Sequence, residues 1–357
     1  MDNFKNIKKF WNKKKVFITG HTGFKGTWLC IILNYLNSSI YGYSLVPKKN
    51  SLFDKTKIEK DISSNTYADI NDLQKLKKKI NKYKPEILFH LAAQPLVIES
   101  YNKPLDTFKT NMVGTLNVLE CIRDVNSLKS VVIITSDKVY KINKKNISYK
   151  EQDSLGGDDP YSGSKAGSEI IVNSYIKSFY KNNFLKNKVS TARAGNVIGG
   201  GDFAKNRLMP DIIKAINTKK TLVIRNANFI RPWQHILDPL SGYLTLAKKQ
   251  YENTINNEYP FWNFGPDRKN FKKVIDIVKY TKKLENFKFQ NLSLNNFNET
   301  NVLKLNSSKA KKELRWFPKW DLNKSITKTI EWNSLFKKGF SARHICEKQF
   351  LMYINNQ

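Results

Sequence analysis

A short apolar run, Val16-Phe17-Ile18-Thr19, leads directly into Gly20-His21-Thr22-Gly23-Phe24-Lys25-Gly26, and a mainly apolar stretch follows to about residue 37. A strand feeding a glycine turn that opens a helix is a narrow solution. The glycines permit the tight turn and a close backbone approach, and the first helix amides point at whatever lies beyond the strand end. Such a unit lays a dinucleotide pyrophosphate on helix amides. Further short apolar runs alternate with longer amphipathic stretches. Strands are expected at Val16 to Thr19, Ile40 to Leu45, Ile87 to Ala92, Val131 to Ser136 and Val189 to Ala192. Helices are expected over about 25 to 37, 71 to 82, 105 to 124 and 161 to 182. A βα series of this kind predicts an α/β fold, a Rossmann-type doubly wound parallel sheet covered on both faces. The β-branched run Val131-Val132-Ile133-Ile134 suits a strand buried on both sides.

After about residue 195 the pattern changes to Gly-rich turns, Pro-marked loops and short aromatic segments such as Phe261-Trp262-Asn263-Phe264. The chain of 357 residues is therefore expected to divide in two. Residues 1–194 form mainly the dinucleotide-binding domain. Residues 195–357 form a smaller, mixed α/β C-terminal region that is rich in loops, closes over the carboxyl edge of the sheet and binds substrate, with some segments returning to the main sheet. No apolar run approaches the roughly 18 residues of a membrane span, and Met1-Asp2-Asn3-Phe4-Lys5 lacks the apolar middle of a secretory signal. A cytoplasmic protein with no membrane partner is expected. Cys30, Cys121 and Cys346 read as packed thiols, and His21, His90, His235 and His344 show no paired metal spacing, so no metal is expected.

The formal net charge of +32 raises the question of nucleic acid, since a basic surface binds phosphates by releasing counterions. The lysines, however, are spread along the chain, at Lys13 to Lys15, Lys77 to Lys79, Lys186 and Lys188, and Lys309 to Lys312. Asn, Ile, Phe and Tyr, whose codons are also rich in A and T, are plentiful. Genome composition accounts for the excess, and no specific nucleic-acid partner is expected.

A second motif, Tyr161-Ser162-Gly163-Ser164-Lys165, puts a phenol and an ammonium one helical turn apart on one face. The same spacing recurs at Tyr140 and Lys144, but Tyr161 opens a helix signalled by Asp158-Asp159-Pro160 and follows Thr135-Ser136-Asp137-Lys138, which ends the most apolar strand. Carboxyl ends of strands are where ligands meet an open α/β sheet. An adjacent ammonium and a positive nicotinamide ring lower a phenol's pKa, so that Tyr161 takes a proton from a sugar hydroxyl held by Ser136 as hydride leaves. The small residues of His90-Leu91-Ala92-Ala93-Gln94 end another strand where a cofactor approaches, and Asn111 reads as a buried polar anchor. No acidic residue stands about 20 positions after the glycines to hold the ribose hydroxyls, and Lys48 and Lys49 follow the second strand, which leaves NAD and NADP open. Asp69 is either an adenine-edge contact or a cap for the helix starting at Asn71.

These words, with Arg193-Ala194-Gly195-Asn196-Val197-Ile198-Gly199-Gly200-Gly201-Asp202 and Arg231-Pro232-Trp233-Gln234-His235, occur over residues 15 to 265 in the order found in extended short-chain dehydrogenases/reductases. The family resembled most closely is CDP-glucose 4,6-dehydratase. The resemblance implies NAD as cofactor, CDP-glucose as substrate, and a homodimer or higher homo-oligomer paired through two helices of the sheet domain. It implies oxidation at sugar carbon 4 with Tyr161 as base and Lys165 beside it, loss of water across carbons 5 and 6, and return of the hydride to carbon 6. Asp137 matches the family's acid. Lys138 stands where dTDP-glucose dehydratases carry a glutamate base, and acts either as base or in positioning Asp137. Gly20, Gly23, Phe24, Lys25, Gly26, Asp69, Ile70, Leu91, Ala92 and Ala93 are the implied cofactor contacts. Gln94, Asn196, Arg207, Arg225, Arg231 and His235 are the implied substrate contacts. Other nucleotide-sugar 4,6-dehydratases and 4-epimerases of the superfamily are the alternatives, with a non-catalytic RNA-binding protein behind them.

Overall fold

The computed structural model describes residues 4–142, 148–185, 188–256, 258–292 and 301–355; of the residues singled out above, Met1, Asp2, Asn3, Lys144 and Lys186 lie outside them. Six strands arise in chain order: β1 (Lys15–Thr19), β2 (Ser39–Ser44), β3 (Ser64–Tyr67), β4 (Ile87–His90), β5 (Ser130–Ile134) and β6 (Val189–Ala194). β7 (Phe261–Phe264) returns from the C-terminal part to pair with β6, Phe264 opposite Ala194. The seven strands are parallel in the order 7-6-5-4-1-2-3. The direction of winding reverses between β1 and β4, which is where a doubly wound sheet opens a crevice.

Alternation along the strands explains why both faces are covered. Val16, Ile18, Ile87, Phe89, Val132 and Ile134 enter one core with helices Phe24–Tyr35, Leu237–Tyr251 and Ala342–Ile354. Phe17, Leu88, Val131 and Ile133 enter the other, with helices Leu73–Tyr83, Gly114–Ile122 and Pro160–Tyr175. A third core, with Ile198, Met209, Ile212, Trp233, Ile277 and Ile326, belongs to the region after residue 195. Among the described residues that region holds five α-helices, Leu208–Thr218, Leu237–Tyr251, Val274–Leu284, Leu322–Lys337 and Ala342–Ile354, more regular structure than its Gly- and Pro-marked sequence announces. The expected helix over 105 to 124 is split: Pro104–Phe108, a wide π turn over Lys109–Val113, then Gly114–Ile122.

The last helix clamps the first βα unit. Phe350 packs edge-on against Tyr35, and Arg343 donates to Asn34 (2.7 Å) and pairs with Asp61. Its far end is anchored by Asp238, which is fully buried and accepts from Tyr353 (2.7 Å) and from the Lys319 amide (2.8 Å). Burial pushes the Asp238 carboxyl up to about 7 against these hydrogen bonds. A carboxyl raised in the folded state stabilises the fold while protonated, and that contribution is lost as pH climbs from the ordinary carboxylate range through 7. Denaturant unfolding of Asp238→Asn is therefore expected to show less loss of stability between pH 4 and 8 than wild type; an equal slope overturns this assignment.

Candidate active site

The turn after β1 is shaped by two glycines that nothing else replaces. Gly20 has φ +74°, and a Cβ there would lie 2.5 Å from the Ala92 amide nitrogen; one on Gly26 would lie 2.2 Å from the Gly20 carbonyl oxygen. Gly23 caps the helix Phe24–Tyr35 with no side chain, so its first amides face the crevice unblocked. These features fit a dinucleotide pyrophosphate. His21, inside the loop, is fully buried, bonded through Nε2 to Asn65 (2.9 Å) and pressed against Gly42, and burial lowers it to about 4. Asp69 is not the helix cap: Asp72 caps Leu73–Tyr83, while Asp69 Oδ1 accepts from the Asn71 amide (2.8 Å) in a tight turn and the residue stays exposed. Ile70, beside it, packs under Gly114.

β4 ends in a buried latch. His90 lies between Thr19 (2.7 Å) and Thr115 (3.1 Å), and Thr19 also accepts from the Ala92 amide. Leu91, Ala92 and Ala93 are half-buried at the crevice. Asn111 is the expected anchor: it bonds the Gln94 amide (2.9 Å) and Ser164 (2.8 Å), joining this loop to the next helix. Gln94 differs from expectation. Its side chain folds onto its own loop, donating to the Leu96 carbonyl and Thr107 and accepting from the Leu96 amide, so it shapes the crevice wall.

Helix Pro160–Tyr175 starts as its sequence predicts, with Asp159 accepting from the Ser162 amide (2.9 Å) and Pro160 in the first turn. Tyr161 and Lys165 lie on its buried face, and the Ser136 hydroxyl acts to lower the pKa of the Tyr161 phenol. The expected lowering of the phenol is not supplied by Lys165. Its ammonium donates to the Ile134 carbonyl (3.2 Å), and burial holds Tyr161 up at about 12 despite Ser136 and the Arg207 charge. Burial and the nearby Lys25 charge bring Lys165 down to about 8. Tyr140, whose spacing to Lys144 mimics this pair, is a core residue bonded to Asn263 (2.6 Å).

Ser136 also donates to Asp137 (3.1 Å) and accepts from the Lys138 amide (3.2 Å), fixing a single turn at the end of β5. Asp137 is buried, and burial raises its carboxyl to about 6 against the pull of Lys138, Arg231 and Lys25. Its Oδ2 has no hydrogen-bond partner among the described residues and lies 3.1 Å from where a Cβ on Gly195 would be. Lys25 thus acts electrostatically on Asp137 as well as belonging to the glycine loop; burial and Arg207 lower it to about 8. Arg231 is buried, donates to the Ile230 and Asn301 carbonyls and lies over the Phe229 ring. Arg207 pairs with Asp202 (3.0 Å), and Arg225 donates to Asn206 (3.2 Å). Asn196 is half-buried between β6 and Arg231's strand, its carbonyl accepting from the Gln234 amide. His235 is corrected to a core residue: fully buried, wedged against Trp28 and Trp320, and held neutral by burial at about 3. Among the described residues no cluster of three or more His, Cys, Asp or Glu is placed to hold a metal ion.

Two residues escaped the sequence reading. Asp202 orients Arg207; the sequence showed it only as the end of the motif Gly199-Gly200-Gly201-Asp202, with no role given to it. Glu169 is fully buried, and its position four residues after Lys165 on the same helix face was the available signal.

A dinucleotide cradle facing a buried phenol, ammonium and carboxyl defines the class as a nicotinamide-dependent enzyme of the extended short-chain type. The sequence profile described as GDP-mannose 4,6 dehydratase matches residues 17–329. The CDP-glucose 4,6-dehydratase of Salmonella typhimurium is 40% identical over 348 residues, covering 96% of this chain and 96% of the relative. The chain belongs to this family of nucleotide-sugar dehydratases. The dTDP-glucose 4,6-dehydratase of Escherichia coli is 26% identical, covering 89% of this chain and 93% of the relative. Among solved structures, the dTDP-glucose 4,6-dehydratase of Bacillus anthracis in complex with NAD superposes with TM-score 0.77 at 19% identity, covering 92% of this chain and 99% of that one. The UDP-glucose 4-epimerase of Thermotoga maritima gives 0.76 at 20%, covering 91% and 99%.

Gly20→Ala adds a methyl that meets backbone in a left-handed conformation. NAD affinity, measured by calorimetric titration, is expected to fall at least about tenfold, on the scale of 1.4 kcal/mol per decade; unchanged affinity overturns the cradle.

Proposed function

We propose that this protein acts as a CDP-glucose 4,6-dehydratase, a carbon–oxygen lyase that uses NAD to convert CDP-D-glucose to CDP-4-dehydro-6-deoxy-D-glucose. One juxtaposition carries the reading: the Ser136 hydroxyl, which pulls the Tyr161 phenol's pKa down, donates to the carboxyl of Asp137, which burial raises to about 6. A 4-epimerase needs the phenol but has no use for an acid beside it. The near-full-length relative and the family membership support the same substrate class.

NAD, when bound, supplies a hydride acceptor that gives the hydride back within one turnover. Gly20, Gly23, Phe24, Lys25 and Gly26 would hold its pyrophosphate, Asp69 and Ile70 its adenosine end, and Leu91, Ala92 and Ala93 would let backbone approach it. Tyr161 takes the proton of the sugar 4-hydroxyl, which Ser136 also holds. The protein alone leaves this phenol at about 12, so the reaction relies on positive charge brought next to it. The 4-ketone acidifies the hydrogen at carbon 5. Asp137 donates its proton to the hydroxyl leaving carbon 6, a task its raised pKa suits. Lys138 takes the proton leaving carbon 5 and, once charged, exerts the largest cationic pull on Asp137; carbon 5 is reprotonated from solvent as the hydride returns to carbon 6. Arg231, Arg207, Arg225 and Asn196 face the nucleotide, guanidinium forks matching its diphosphate oxygens. The functional division falls at Gly195, after which the chain supplies the nucleotide-sugar side.

The enzyme works in the cytoplasm as a homodimer; among the described residues no helix is long and apolar enough to cross a membrane. Leu105, Phe108, Val113, Ile170 and Phe179 expose apolar side chains on the neighbouring helices from Pro104 to Tyr180. A second copy of this face is their natural cover. The surplus lysines serve no nucleic-acid partner.

Incubation with CDP-, dTDP-, GDP- and UDP-hexoses, read by mass spectrometry, is expected to show loss of water from CDP-glucose with uptake of one solvent deuterium at carbon 5. Unchanged CDP-glucose in the presence of folded protein overturns the reading. Tyr161→Phe should lower kcat by about 10²- to 10⁴-fold, and near-normal turnover would remove it as the base. Ile170→Glu should shift the sedimentation of the native protein from dimer to monomer; an unshifted dimer places the interface elsewhere.

A further inference from the structure

We propose that Glu169, clamped by Arg193, is a positioning residue for this reaction, tying the helix that carries Tyr161 and Lys165 to the Ser136–Asp137 turn through Thr135; the inference rests on the reading above. Glu169 lies eight residues after Tyr161 and four after Lys165, on the buried face of one helix. Its carboxylate takes four donors. Thr135 Oγ1 (2.5 Å) and Arg193 Nε (3.0 Å) reach Oε1, while Thr191 Oγ1 (2.8 Å) and Arg193 NH2 (2.9 Å) reach Oε2. Arg193, on β6, completes its fork by donating to the Tyr140 hydroxyl (2.9 Å) and the Glu151 carbonyl (3.0 Å), between the rings of Tyr140 and Phe261.

Both side chains are essentially inaccessible, at 0% and 1% exposure. A buried ion pair is a poor device for stability, because well-packed apolar residues of similar volume commonly serve as well or better. Its placement is what distinguishes it. Thr135 immediately precedes Ser136, and Thr191 and Arg193 lie on the strand that runs into Gly195 and Asn196. One carboxylate therefore braces the helix of Tyr161 and Lys165, the turn of Ser136 and Asp137, and the approach to the nucleotide side. Displacing reacting groups by about 1 Å costs on the order of a hundredfold in rate.

The charge matters too. Lys165 is faced by Lys25 from helix Phe24–Tyr35, by His90 from β4 and by Glu169 from its own helix. Glu169 is in turn faced by Arg193 from β6 and by Tyr259. Burial and Lys25 both favour the neutral amine, and Glu169 opposes them.

The test uses full-length protein with NAD and the nucleotide hexose that the wild type consumes. Glu169→Gln keeps shape and hydrogen-bonding capacity; should its stranded guanidinium prevent folding, the charge-free pair Glu169→Gln with Arg193→Met decides on the same readouts. The expected result in folded variants is a kcat lowered about 10- to 100-fold, a KM within about threefold, and a Lys165 ionisation moved to lower pH in the kcat profile. The same ionisation is followed by NMR of isotope-labelled lysine, assigned with Lys165→Met, a readout independent of which sugar nucleotide is turned over. Folded variants with wild-type kcat and an unmoved Lys165 ionisation, or with a change confined to KM, overturn the proposal. An inert wild type would instead overturn the functional reading, and the NMR shift alone then decides whether Glu169 governs Lys165.

Discussion

Parallel strands buried on both sides leave polar chemistry only one place to go. In this chain β1, β4 and β5 send alternate side chains into two separate cores, so a charged group along their length would have to be desolvated with no compensation. The polar residues collect where the strands stop, at Gly20, Leu91, Ser136 and Gly195, and the reversal between β1 and β4 opens the crevice those ends share. The pairing of Glu169 with Arg193 is the exception within the sheet layer, admitted because each oxygen and each guanidinium nitrogen involved has a partner.

The polar cluster at the strand ends is a balance of forces on groups that are largely withdrawn from water. Burial alone would neutralise Lys25, Lys165 and Asp137 together. Opposite charges at short range, Asp202 against Arg207 and Asp137 against Lys138 and Arg231, keep the site from collapsing into either sign. The outcome is a carboxyl and two amines poised within a few units of neutrality, the condition under which protons move readily in both directions.

Much of this was legible in the sequence, and the gaps have physical causes. Apolar runs located β1, β4 and β5 to within a few residues, since a doubly buried strand is largely apolar, and shorter apolar stretches located β2 and β6 despite polar members such as Ser39, Thr191 and Arg193. β3, Ser64–Tyr67, escaped because an edge strand of polar residues carries no such mark. β7 was visible as an aromatic segment, but its partner β6 lies far back in the chain, and pairing over that distance leaves no local trace. Helix periodicity put Tyr161 and Lys165 on one face correctly, yet could not say that the ammonium would turn to the Ile134 carbonyl. His235 and Gln94 show the limit of motif words: a motif fixes residue type and order, while burial against Trp28 and Trp320, or a side chain folded onto its own loop, is decided by distant packing.

The clamp between the last helix and the first βα unit constrains the order in which the molecule can be built. Tyr35 and Asn34 wait for Phe350 and Arg343, contacts separated by some three hundred residues. During synthesis the nucleotide-binding half emerges from the ribosome long before the segment that covers its outer surface. That apolar flank stays uncovered until Ala342–Ile354 has been made, which leaves it the part of the first βα unit most open to wrong association in the meantime.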